Sequence, residues 1–144
     1  MVTALAEDQN TSGLERGLAA AGLLALSAGS SVVWYFDPTK AGFFPVCPLY
    51  SITGLACPGC GLTRGFHALF HGDIVTALDY NALIPIFALI FGLIFVSLAM
   101  VVVRGRGLLK LKHSPTPLIG FFVLLVVFGV LRNLPFDPFT FLYP

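Results

Sequence analysis

The residues best suited to chemistry lie in one short stretch, Cys57-Pro58-Gly59-Cys60-Gly61-Leu62-Thr63-Arg64. Cys-X-X-Cys is the spacing of the dithiol pair in thiol oxidoreductases, and it also supplies two ligands in many zinc sites. Three cysteines cannot all pair within one chain, so at least one thiol is free, binds a metal or pairs between chains. The redox or metal candidates are Cys47, Cys57, Cys60, His67 and His71.

A helix that starts at Gly61 would align these groups. Cys60, Arg64, His67 and His71 follow one another at spacings of four, three and four, and therefore share one helix face. Cys57 and Cys60 would lie at the helix N-terminus. Free N–H groups, the helix dipole and Arg64 would there favour thiolate and lower the thiol pKa. We expect Cys57 and Cys60 to pair and Cys47 to lie apart from them.

Three interpretations of the cysteines remain open. In the first, Cys57 and Cys60 form a redox pair with Cys47 as a resolving or structural partner, although no βαβ pattern surrounds them. In the second, the three cysteines and His67 or His71 make a Cys₃His zinc site. In the third, the cysteines are small apolar packing residues or form a structural disulfide.

Two arginines would be costly at membrane depth and should either find partners or extend to the interface. We predict that Arg64 pairs with Asp73 or Asp79, the nearest carboxylates in the sequence. Asp73 is also a candidate N-cap for a helix over 74–80. The charge-pair candidates are Arg64, Asp73, Asp79 and Arg132.

The composition excludes a typical soluble domain. Of the 144 residues, 57% are hydrophobic and 10% charged, and the mean hydropathy is +0.91. Average soluble domains carry roughly 25% charged residues, so this chain lacks the charge to cover a water-facing surface. A net charge of +1 gives no basis for binding nucleic acid. The expected environment is the lipid bilayer.

The order of apolar runs predicts an all-α integral membrane protein with three transmembrane helices. Uncharged runs of about 20 residues match roughly 30 Å of hydrocarbon. The motif lies in a connection over 37–81, which is rich in Pro and Gly yet apolar, and is therefore expected to be interfacial or partly embedded. We divide the chain into a polar tail, 1–16, and a single membrane domain, 17–144. The helices are predicted at about 17–36, 82–103 and 117–134.

The distribution of Lys and Arg predicts the orientation. The N-terminal tail and the second connection together carry five, against three for the other side, and four of the five flank two helix ends. Because positive residues favour the cytoplasmic side, the N-terminus is predicted to be cytoplasmic. The cysteine connection and the C-terminus would then be extracytoplasmic. A stripe on the first helix could contact another membrane protein or a second copy of the chain: Gly17, Ala21, Ala25 and Gly29.

Several short motifs resemble one known family. They are Cys47-Pro48, Thr53-Gly54, Cys57 to Arg64, His71-Gly72-Asp73, Tyr80-Asn81 and Arg132-Asn133-Leu134-Pro135. Together they resemble the family called domain of unknown function 2752. The resemblance runs from about Cys47 to Pro135, and it differs at Gly65, where alanine is usual, and at Ala82, where proline often follows the asparagine. It implies a small bacterial membrane protein, in the cytoplasmic membrane, and transfers no catalytic residue.

The sequence shows no nucleotide-binding loop, carboxylate pair or Ser-His arrangement. We therefore expect a non-enzymatic membrane component that acts through partner proteins, with the cysteine motif as its structural centre. The alternative is an extracytoplasmic thiol-redox or zinc-binding membrane protein that uses Cys57 and Cys60.

Overall fold

A computed structural model describes residues 12–107, 116–136 and 142 of the chain. Its described part contains α-helices and no strand, which confirms the predicted all-α class. The helices are α1 (Gly13–Tyr35), α2 (Pro48–Thr53), α3 (Leu62–Phe70), α4 (Ile74–Tyr80), α5 (Ile84–Arg104) and α6 (Thr116–Leu131).

Two helices are long and apolar enough to cross a membrane, α1 and α5. Almost none of their residues are buried within the protein, unlike the core helix of a soluble domain. Helix α6 is equally apolar but has 16 residues, which rise only about 24 Å. The structure therefore supports two crossings by length and composition, and the predicted third crossing is not confirmed.

The chain forms two compact units. Among the described residues, the first contains 12–30 and 88–107, and the second contains 31–87, 116–136 and 142. In the first unit, a Cβ atom added to Gly22 of α1 would lie 3.4 Å from a Leu98 methyl group of α5. A glycine at this position therefore leaves room for the leucine side chain.

The second unit contains the motif connection, which holds three short helices. The sequence predicted two of them, and α3 and α4 confirm both. Gly72, with φ at 81°, lies in the turn that follows α3. The Asp73 carboxylate caps α4 by accepting from the Thr76 N–H at 3.0 Å.

Helix α2 was not predicted. It begins at Pro48, where a missing N–H does no harm, and ends at Gly54 with φ at 73°.

The core of this unit forms where α3 and α4 meet the start of α5. Ala68, Ala77 and Ile84 are buried there. Three apolar side chains of α3 pack against them: Leu62, Phe66 and Leu69. Gly65 is at the closest point of this packing. A Cβ atom there would lie 2.7 Å from Ile84 Cδ1 and 3.1 Å from the Ala77 carbonyl oxygen.

We predict that Gly65→Ala destabilises the protein because the new methyl group overlaps the buried Ile84 side chain. Overpacking of this kind costs about 1–3 kcal/mol. Ile84→Val, which removes Cδ1, should recover part of that loss in the double variant. Thermal unfolding of purified protein in detergent measures both effects.

The matched control is Gly92→Ala in α5, where a Cβ atom would meet nothing within 4 Å. It should be neutral or slightly stabilising because alanine favours helix. Equal stability of the Gly65→Ala and Gly92→Ala variants would show that the α3 contact is looser than described.

Candidate functional site

The three cysteine sulfurs converge on one point. Cys57 Sγ lies 3.3 Å from Cys47 Sγ and 3.2 Å from Cys60 Sγ, and all three sulfurs lie within 4.8 Å of one another. All three residues are free thiols and are partly exposed. The expectation that Cys47 lies apart from a Cys57–Cys60 pair is therefore wrong, since Cys47 is as close to Cys57 as Cys60 is.

Two local structures bring the sulfurs together. Helix α2 and the left-handed turn at Gly54 fold the chain back, so that Cys47, immediately before α2, returns to the motif. The motif itself is a tight turn in which the Cys60 N–H donates to the Cys57 carbonyl at 3.0 Å. Gly61, with φ at 80°, then starts α3 from a conformation that favours glycine.

The surroundings give the thiols of Cys47 and Cys60 different pKa values. The backbone N–H of Tyr50 in the first turn of α2, followed by the Cys57 thiol, lowers the pKa of Cys47 to about 7. Burial, followed by hydrogen bonding to the other two thiols, raises the pKa of Cys60 to about 12. We expected a lowered pKa at the start of α3, but at Cys60 burial outweighs the helix dipole. Cys47 therefore loses its proton at lower pH than Cys60 does.

A buried arginine donates hydrogen bonds to the backbone of the cysteine turn. Arg132, just beyond α6, is only 1% exposed. Its Nη1 donates to the carbonyl oxygens of Cys57 at 3.0 Å and Cys60 at 3.1 Å, and its Nε donates to the Leu142 carbonyl at 3.1 Å. A guanidinium group suits this role because it presents several donors in a fixed planar arrangement.

Two asparagines bind the remaining polar groups of the turn. Asn81, also 1% exposed, donates from Nδ2 to the carbonyls of Pro58 at 2.8 Å and Cys60 at 3.1 Å. Asn133 pairs with both backbone groups of Ala56: its Oδ1 accepts from the N–H at 2.8 Å and its Nδ2 donates to the carbonyl at 2.8 Å. The carbonyl oxygens of residues 56–58 and 60 therefore all bind side chains from outside the turn.

The turn also packs closely against α6. A Cβ atom on Gly129 would lie 3.1 Å from Pro58 Cγ, so glycine allows the proline ring to approach the helix backbone. We name Arg132, Asn81 and Asn133 the carbonyl clamp. It fixes the backbone that carries Cys57 and Cys60, and it leaves the sulfurs for chemistry.

The histidines lie outside the sulfur cluster. His67 Nδ1 is 2.7 Å from the Val33 carbonyl, in the last turn of α1, where helix carbonyls lack partners within the helix. His71 Nδ1 is 2.8 Å from the His67 carbonyl, and its ring stacks on Trp34 with centroids 6.1 Å apart. Among the described residues only the three cysteines form a cluster able to bind a metal, so the structure does not assemble the predicted Cys₃His set.

The predicted ion pair of Arg64 is not formed. Arg64 is exposed, and its guanidinium carbon lies 5.9 Å from the centre of the Tyr80 ring. Asp73 is occupied as the α4 cap, and its pKa is lowered by the hydrogen bonds from Thr76. Within the described ranges the one ion pair is between Lys40 and Asp37. Asp79 is exposed, so neither carboxylate needs the arginine for burial.

Arg132 was a candidate from the sequence as a charged partner or as a side chain extending to the interface, and the carbonyl oxygens that it binds were not predicted. The roles of Asn81 and Asn133 were also missed. The sequence feature that could have indicated these roles is the position of the two asparagines. Each asparagine lies next to a long apolar run, where an uncompensated amide would be costly, so each required a buried partner. That these partners are the carbonyls of a turn far away in the sequence could not be read from local pattern.

We predict that Arg132→Ala lowers the amount of protein recovered in membranes several-fold, while Arg64→Ala has little effect. Each hydrogen bond from a charged donor contributes about 1.5–3 kcal/mol, and Arg132 makes three of them to backbone carbonyls. Arg132→Lys should not restore recovery, since one ammonium group cannot reproduce the planar set of donors. Quantitative immunoblots of membrane fractions test this, and equal recovery of the two alanine variants would contradict the clamp.

Comparison with known proteins gives one match. Searches of curated proteins and of solved structures found no match. The model of a family described as protein of unknown function (DUF2752) matches residues 47–95. That range contains the three cysteines, helices α2 to α4 and the first half of α5, but not Arg132 or Asn133. Over residues 47–95 the chain is therefore similar to the DUF2752 family, which confirms the resemblance in that range. Its extension to Pro135 stays a prediction.

Proposed function

We propose that this protein is a bacterial inner-membrane protein with three crossings, in which α6 together with the segment through Leu134 forms the third. The N-terminus would be cytoplasmic, and the cysteine turn would lie at the extracytoplasmic surface. Two helices of spanning length and the apolar α6 support this arrangement. Exposed apolar side chains in and around α2 support an interfacial position for the connection: Phe43, Val46, Leu49, Tyr50, Ile52 and Leu55.

The function supported best by the geometry is thiol–disulfide exchange at the three-cysteine cluster. The observation that carries this proposal is the position of Cys57, whose sulfur is 3.3 Å from Cys47 and 3.2 Å from Cys60. One sulfur can therefore bond to either neighbour after a shift of about 1.2 Å toward the S–S bond length. A purely structural disulfide would need only one neighbour.

The exchange step needs only the three cysteines and the proton that Cys60 takes up from its surroundings. Starting from a Cys57–Cys60 disulfide, the Cys47 thiolate attacks Cys57 Sγ. The Cys47–Cys57 bond forms, the Cys57–Cys60 bond breaks, and Cys60 leaves as a thiolate that takes up a proton. A dithiol on a partner protein then reduces the Cys47–Cys57 disulfide. The partner gains a disulfide, and this chain recovers two thiols.

The partner is proposed to be another membrane or extracytoplasmic protein. The sequence favoured a non-enzymatic component with the motif as its structural centre, and the carbonyl clamp supports the structural part of that view. The arrangement of the sulfurs supports the redox alternative better, because a clamp would hold the turn equally well without three adjoining thiols. Association through the stripe on α1 stays a prediction, and all four residues are exposed there: Gly17, Ala21, Ala25 and Gly29.

Zinc is the second candidate. All three sulfurs lie within 4.8 Å of one another, which is compatible with shared ligation. Zn–S bonds of about 2.3 Å would place the sulfurs roughly 3.8–4.0 Å apart, so the contacts at 3.2 and 3.3 Å would have to widen. The clamped backbone limits that widening at Cys57 and Cys60. A fourth ligand would have to be water or come from another molecule.

We predict that Cys57→Ser lowers the yield of intramolecular disulfide more than Cys47→Ser or Cys60→Ser does. The reason is that Cys57 takes part in both of the close sulfur contacts, at 3.3 and 3.2 Å. Each protein is first equilibrated with a series of glutathione redox buffers. The free thiols are then alkylated under non-reducing conditions, and mass spectrometry identifies the disulfides.

A zinc site would give a different result in the same samples. Native wild-type protein would contain about one zinc per chain, with three thiols shielded from alkylation until unfolding. Three free thiols of equal reactivity across the glutathione range, with no metal, would contradict both candidates and leave the cysteines as packing residues.

The proposed topology predicts that a reporter fused at Gly107 is cytoplasmic and that one fused within the cysteine connection is extracytoplasmic. The excess of Lys and Arg next to Gly107 is the physical reason. Paired phosphatase and fluorescent-protein fusions report the two sides. An extracytoplasmic Gly107 would invert the protein and place the cysteines in a reducing compartment.

A further inference from the structure

A large apolar cleft lies beside the cysteine turn, within the second unit. Its volume is about 600 Å³, within the usual range for small-molecule sites. One wall is α6, with Phe122, Val126 and Val130, and the opposite wall is formed by Leu49, Leu55 and Pro58. Cys57 is also part of the lining. The cleft thus adjoins Cys57, whose sulfur is central to the cluster.

The lining restricts the chemistry of an occupant. Asn133 is one of the cleft residues, but its amide is fully engaged: Oδ1 accepts from Ala56, and Nδ2 donates to the carbonyls of Ala56 and Gly129. A sugar, nucleotide or peptide would leave polar groups without partners there, which is costly. The occupant that fits is predominantly apolar and reaches the cleft past the exposed face of α6, where Phe122 is 65% and Val126 48% exposed.

The redox centre supplies a second restriction. Thiol–disulfide exchange with a partner leaves the cysteines reduced, so a two-electron acceptor must restore the disulfide. Such an acceptor must be able to enter an apolar cleft and contact Cys57. Membrane-soluble quinones combine an apolar body with two-electron chemistry.

We propose that the cleft binds an isoprenoid quinone, which reoxidises the Cys57–Cys60 pair. This inference depends on the proposed thiol–disulfide function. The two thiols lose two electrons and two protons as the S–S bond forms. The quinone takes up both electrons and both protons and leaves as the quinol. Exchange with Cys47 then moves the disulfide from the Cys57–Cys60 pair to the Cys47–Cys57 pair.

The experiment uses the full chain, purified in detergent and reduced, with decylubiquinone as the probe. Loss of quinone absorbance and loss of alkylatable thiols are followed together, and one quinone should be consumed per disulfide formed. Val126→Trp should fill the cleft and slow this oxidation at least tenfold. The matched control is Val127→Trp, which changes a valine of nearly equal exposure, 49% against 48%, that does not line the cleft. It should oxidise within twofold of wild type.

Oxidation by glutathione disulfide, measured in parallel, tests the thiol–disulfide function separately from the quinone inference. If glutathione oxidises the wild-type cysteines and decylubiquinone does not, the quinone inference is wrong and the exchange function stands. Equal quinone rates for the Val126→Trp and Val127→Trp variants would also overturn it, since reaction would then occur away from the cleft. Failure of both oxidants would refute the thiol–disulfide function itself.

Discussion

The structure around the cysteines depends on the need of buried backbone carbonyls for hydrogen-bond donors. A turn cannot satisfy its own polar groups as a helix does, and in apolar surroundings it must obtain partners from elsewhere. Here Arg132 and two asparagines provide them, and the Cys60 carbonyl receives both Nη1 of Arg132 and Nδ2 of Asn81. The charged donor strengthens these bonds and compensates part of the desolvation of the guanidinium group.

The need of these carbonyls for donors explains how a few residues can combine a rigid backbone with accessible thiol groups. The backbone of the turn is held through its carbonyl oxygens, while none of the clamping side chains contacts a sulfur in the bonds described above. The sulfurs remain next to one another, with different proton affinities set by burial at Cys60 and by an N–H group of α2 at Cys47. The clamp therefore fixes the backbone of the turn without using the sulfurs.

Local sequence pattern predicted much of the fold. Long uncharged runs located α1 and α5, and Asp73 located the start of α4. It also selected the three cysteines as candidates. The errors concern long-range placement. Arg64 was paired with nearby carboxylates because sequence distance was the only guide, whereas an exposed guanidinium needs no ion pair.

The carbonyl clamp was not predicted for the same reason. Arg132 reaches a carbonyl 75 residues away and Asn133 a backbone pair 77 residues away, and no periodicity relates such positions. Helix α2 was missed because its six residues are too few to show a helical repeat and because proline and glycine delimit it. The convergence of Cys47 on the motif followed from that helix, so one short element accounts for two errors.

The sequence separation of the clamp has a consequence for biogenesis. Cys57 leaves the ribosome 75 residues before Arg132, which corresponds to about 4–15 s at translation rates of 5–20 residues per second. During that interval the nascent turn lacks its arginine and Asn133, and its thiols are less constrained than in the finished protein. The fixed conformation of the cysteine turn is therefore reached only after the segment that follows α6 has been synthesised.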